Sequence, residues 1–184
     1  MNDWITKALQ TWYKEDNPLH LNPLHPALGL AGESGELLDL YKKNEYKPGF
    51  SWWNCVNCGA GDGYHWAENK CPNMDSSYTS LILDELGDYS YYLRILTYQA
   101  EIDIPGPYLI NTPILRILTR LNHLSGDILV NVVTNSNINN YAVRSTWKCF
   151  FNLCHSLQVE TEQVFELNYR KLNTEGMHGW ESAR

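Results

Sequence analysis

Two short acidic motifs carry most of the chemistry in this chain: Glu33-Ser34-Gly35-Glu36 and Glu85-Leu86-Gly87-Asp88. In each, the carboxylates stand three residues apart, which places them on one face of an α-helix. On a helical wheel Glu33 falls on the apolar stripe of Leu30, Leu37 and Tyr41, with Glu36 at its edge on the same side. Glu85 and Asp88 fall in the middle of the face carrying Leu81, Tyr89, Tyr92 and Leu96. Buried carboxylates are costly and repel one another, so their pKa values rise unless positive charge neutralises them. Basic side chains, protonation or a divalent metal can supply that relief, and an all-oxygen ligand set favours magnesium or manganese over zinc. Ion pairing with Lys42, Arg94 or Lys171 is the plainer alternative; the two-by-two arrangement favours metal.

A second constellation lies between the two motifs. Cys55-Val56-Asn57-Cys58-Gly59 has the two-residue spacing and following glycine of a zinc knuckle, and His65 and Cys71 stand in range to complete a Cys₃His site. The alternative is a loop with free thiols. Cys149 and Cys154 sit among Phe150, Phe151 and Leu153 and read as core packing.

Helices must position these groups. The first runs from an Asn2 or Asp3 cap to about Glu15, with Trp4, Ile5, Ala8, Leu9 and Trp12 at helical spacing. A connector from Leu19 to Pro26 leads to a second helix, Ala27 to about Asn44, with Pro26 suited to its first turn. From about 46 to 80 glycines, prolines and asparagines break any period, and this stretch reads as an irregular insertion for which zinc would be the staple. A third helix spans Leu81 to about Ala100, closed by Pro105-Gly106-Pro107. Thr112 is read as the cap and Pro113 as the first turn of a fourth. Tyr141 to His155 and about Glu160 to Leu172 complete an all-α helical bundle in a single domain, 1–184.

Composition narrows the class further. The chain has 184 residues, 43% hydrophobic and 19% charged, which suits a globular core. With 14 basic against 21 acidic residues the net charge is −7, a poor match to a phosphate backbone, so nucleic acid is not the expected partner. No membrane span or secretory leader is expected, and the reading is cytoplasmic. An anionic small molecule would bind only where a cation reverses the local field.

Taken together, Gly32-Glu33-Ser34-Gly35-Glu36-Leu37, Asp84-Glu85-Leu86-Gly87-Asp88 and the closing Asn168-Tyr169-Arg170-Lys171-Leu172 resemble the ExxE and ExxD motifs and last helix of the MazG-like all-α nucleoside triphosphate pyrophosphohydrolases. The resemblance covers helices two, three and the last. The long cysteine-bearing insertion and the extra sequence before the last helix depart from the family's pattern. It implies hydrolysis of a nucleoside triphosphate, a dNTP by expectation, to monophosphate and pyrophosphate in nucleotide-pool control. Glu33, Glu36, Glu85 and Asp88 would hold magnesium, with manganese as the alternative ion. Tyr92, Asn168 and Lys171 would contact phosphates, and the assembly would be a homodimer or homotetramer. Trp4, Trp12, Trp52, Trp53 and Trp66 are available to stack on a base, although tryptophans in a bundle more often pack the core.

Two rival readings use the same residues differently. A carboxylate-bridged di-iron bundle wants Glu-x-x-His on two helices, and only Glu175 with His178 has that spacing here. A non-catalytic zinc-knuckle interaction module would leave the four inward acids without a purpose.

Overall fold

The computed structural model describes residues 3–12, 22–56, 80–107 and 109–174. Six helices account for the regular structure there: α1 (Asp3–Trp12), α2 (Leu24–Tyr46), α3 (Leu81–Gln99), α4 (Ile114–Asn135), α5 (Asn140–Ser156) and α6 (Thr161–Thr174). The all-α expectation holds, and none of these helices is long and apolar enough to cross a membrane.

The caps explain where the helices start. The Asn22 side chain accepts from Leu24 N at 2.9 Å, so α2 begins three residues before the expected Ala27 and Pro26 lies within its first turn. Pro113, not Thr112, is the capping residue of α4, because its ψ of 135° is extended and the helix opens only at Ile114. Asn139 caps α5 by accepting from Ala142 N at 3.1 Å. The chain leaves α3 through Glu101 at φ 53°, well before Pro105. The stretch of the first helix expected beyond Trp12 lies outside the described residues.

Four helices form a closed ring of neighbours: α2 packs on α3 and α4, and α5 packs on α4 and α3. Helices α1 and α6 cover the remaining side of α3. Apolar burial drives this arrangement, with Leu30, Leu37, Leu86, Leu93, Leu118, Ile128, Trp147 and Phe150 in one core. A smaller cluster of Ile5, Ala8, Leu9 and Trp12 with Tyr91 and Ile95 seats α1. Buried polar groups tie the ring together. Tyr89 Oη and Ser125 Oγ are 3.0 Å apart, Trp147 Nε1 donates to Thr97 Oγ1 at 2.7 Å, and Asn122 Nδ2 donates to Ser34 Oγ at 3.1 Å. Cys154 is buried and Cys149 half-buried, as expected for packing residues.

The insertion is anchored at both ends. Leu81 N and Ile82 N, which open α3, donate to Asn54 O at 3.0 Å and Trp52 O at 2.9 Å, while Leu83 N donates to Ser80 Oγ at 3.4 Å. Three N–H groups that the helix itself cannot satisfy are thereby paired. Trp52 is buried against Tyr41, and Cys55 makes an antiparallel bridge with Ser80.

Candidate active site

The acids lie where α2 and α3 run side by side in opposite directions. Glu33, Glu36 and Glu85 each present a carboxylate oxygen within 4.8 Å of the others, so residues from both motifs converge. They do so on the flank of the helix pair rather than at the centre of its apolar face. Leu30, Leu37, Leu86 and Tyr89 take the centre, Glu33, Glu85 and Asp88 are half-buried, and Glu36 is exposed. The reason is geometric: the leucines and Tyr89 supply enough apolar area to close the α2–α3 contact, leaving the acids at the rim where water still reaches them.

Their electrostatics carry the signature of crowding. Burial, then repulsion from Asp88, Glu36 and Glu85, pushes the Glu33 carboxyl up to about 8. Burial and the same neighbours, with Asp84, push Glu85 up to about 7, and the two carboxyls share a hydrogen bond. Among the described residues no basic side chain makes an ion pair with Glu33, Glu36 or Glu85. Lys42 and Lys43 both bind Asp39 instead.

Asp88 has a different surrounding. Lys171 Nζ donates to Asp88 Oδ2 at 2.8 Å and to Asp84 Oδ1 at 2.9 Å, and Asn168 Nδ2 donates to Asp88 Oδ1 at 2.9 Å. Ion pairing therefore satisfies this acid, and it stands outside the three-carboxylate group. Burial still holds the Asp88 carboxyl above its ordinary value, against the pull of Lys171. On Lys171, burial disfavours the charge, but the two carboxylates more than offset that and hold its pKa above the usual range. Gly87 lets α6 approach α3 closely, since a Cβ there would lie only 3.0 Å from Asn168 Cβ.

Tyr92 also belongs to this neighbourhood. Its ring packs over Gly29, where a Cβ would come within 2.5 Å of it, and its edge faces Trp12 at 6.4 Å between centroids. Its hydroxyl pKa is raised by burial and then by Glu33 and Asp88. Asp84, quoted with the second motif but given no role there, shares Lys171 with Asp88, and its one-turn spacing from Asp88 is the signal for that.

Among the tryptophans offered for stacking, Trp12 and Trp52 are core residues, and Trp4 and Trp53 are half-buried against the core. Trp66, Cys58, His65 and Cys71 lie outside the described residues, as do Glu175 and His178. Of the zinc set only Cys55 is described, and it is buried at the base of the insertion.

No protein family, curated protein or solved structure matches the chain.

Proposed function

We propose that this chain is a magnesium-dependent nucleoside triphosphate pyrophosphohydrolase of the MazG-like all-α type, acting on a dNTP. The observation that carries the reading is the convergence of Glu33, Glu36 and Glu85 without a basic partner, beside a lysine already held at the rim. Three hard oxygen donors from two helices fit magnesium, with manganese as the alternative. When bound, the ion would supply the local positive field that an anionic triphosphate needs and would stabilise charge on its phosphate oxygens.

The chain's own residues supply the rest. Lys171 has three donors, of which Asp84 and Asp88 take two, so the third is available to a phosphate oxygen. Water attacks the α-phosphorus, the bond to the bridging oxygen breaks, and pyrophosphate leaves with that bond's electron pair. The proton from the water would pass to a carboxylate of the cluster that the metal does not fully engage. A homodimer or homotetramer belongs to the same proposal, as does structural zinc on Cys55, Cys58, His65 and Cys71 in the insertion.

The test is pyrophosphate release from a panel of NTPs and dNTPs, with magnesium or with chelator, comparing the wild type with Glu85→Ala. Release that requires magnesium and falls to background in the variant is expected. No release from any nucleotide would overturn the assignment, and tightly bound iron in the purified protein would favour the di-iron alternative.

A further inference from the structure

Arg94 is 1% exposed, yet it makes no ion pair among the described residues. Its hydrogen-bond partners are all neutral: Nε donates to Ser90 O at 3.2 Å, Nη1 to Trp4 O at 3.2 Å and Nη2 to Asn168 Oδ1 at 2.9 Å. The Phe165 ring lies 4.9 Å from the guanidinium carbon. Burial lowers the guanidinium pKa to about 10, so the group stays charged at neutral pH. A buried cation without a carboxylate is a costly way to fill space, because methionine or leucine would pack there without desolvation. What those residues lack is the donor.

We propose that Arg94 is a positioning residue: acting through the Asn168 amide, it fixes the Asp88 carboxylate beside Lys171 at the rim of the acidic site. The proposal rests on the pyrophosphohydrolase reading for its functional meaning, but its geometry stands independently. An asparagine amide is nearly symmetric in shape, so its neighbours decide which end is oxygen. Arginine only donates, which forces Oδ1 towards Arg94 and Nδ2 towards Asp88. The reversed amide would set two acceptors against each other on the Asp88 side and two donors against each other on the Arg94 side. With Asn168 on one oxygen and Lys171 on the other, Asp88 is held at both ends. Asn168 is itself 3% exposed and lies over Gly87, so water does not readily take the place of either bond.

The test uses the whole chain, labelled with nitrogen-15, without nucleotide. The Asn168 side-chain amide signals are assigned by their loss in Asn168→Ala. In the wild type they are expected to exchange slowly with solvent, and in Arg94→Met to shift and exchange at least roughly tenfold faster. Arg94→Lys, which keeps the charge and reaches fewer acceptors, is expected to fall between them and serves if Arg94→Met does not fold. In pyrophosphate release, Arg94→Met should lower kcat roughly 10- to 100-fold with little change in KM, as loss of an outer positioning partner does. In an Asn168→Ala background it should lower kcat no further. Unchanged Asn168 amide signals in the arginine variants would overturn the proposal whether or not the protein hydrolyses nucleotides. So would losses that multiply in the double variant, since Arg94 would then act independently of Asn168. If the wild type releases no pyrophosphate, the functional reading fails, and the amide signals still decide the positioning.

Discussion

Glu33 and Glu85 hold protons that ordinary glutamates would have released, and this makes the site's behaviour readable by pH. The folded-state pKa values, about 8 and about 7 against an ordinary 4.5, mean that the native state binds these protons more tightly than the unfolded chain does. The stability so contributed is complete below about pH 4.5 and is lost as pH rises through about 7 to 8. Metal-free protein is therefore expected to melt lower at about pH 9 than at about pH 6, by on the order of 1 kcal/mol after solvent screening at these half-exposed groups. Glu33→Gln should remove most of that difference; melts that stay pH-sensitive in the variant would contradict the assignment. Added magnesium should act in the opposite sense, stabilising more as pH rises, because carboxylate ligands must lose their protons to bind it. Glu36→Gln should abolish magnesium-dependent turnover by removing a metal ligand, and Asp88→Asn should lower it by releasing Lys171, each with helical content preserved by circular dichroism.

The glycines of α2 face different surroundings: Gly29 lies under a ring carried by α3, whereas Gly32 and Gly35 are on the exposed side of the helix. At Gly29 an added Cβ would meet the Tyr92 ring at 2.5 Å, whereas at Gly32 and Gly35 nothing lies within 4 Å. Gly29→Ala is expected to destabilise by about 1 to 3 kcal/mol through overpacking, despite alanine's better helix propensity. Gly32→Ala and Gly35→Ala should each stabilise by up to about 1 kcal/mol, which thermal melts of the three variants would check. The insertion is tied to α3 by its carbonyls at Trp52 and Asn54, so its base is part of the helix start. Under the zinc proposal Cys55→Ser should release the metal and loosen that base; unchanged zinc stoichiometry would exclude Cys55 as an essential ligand.

The whole molecule is a ring of α2, α3, α5 and α4 with α1 and α6 laid over α3, and its surface leaves Val130, Val133 and Tyr141 exposed on α4 and α5. Light scattering on the purified chain is expected to give the mass of a dimer or tetramer, and a monomer's mass would refute that part of the proposal. Much of this architecture was legible in local pattern. Apolar residues at helical spacing marked six helices, and the i, i+3 acids of each motif declared a shared face because both are properties of a few consecutive residues. Boundaries were less legible: Asn22 and Pro113 shift two helix starts by hydrogen bonds and dihedrals that periodicity does not register. Local pattern is enough to say which residues are acidic, helical and on a common face. Tertiary structure decided that Glu33, Glu36 and Glu85 converge while Asp88 goes to Lys171 and Asn168, and that Arg94 reaches Asn168 rather than a carboxylate. The last two depend on how far α6 sinks onto Gly87, in a partner helix some eighty residues away. A helix's own periodicity states which face is apolar, but only packing against its neighbours sets the depth and rotation at which that face is met.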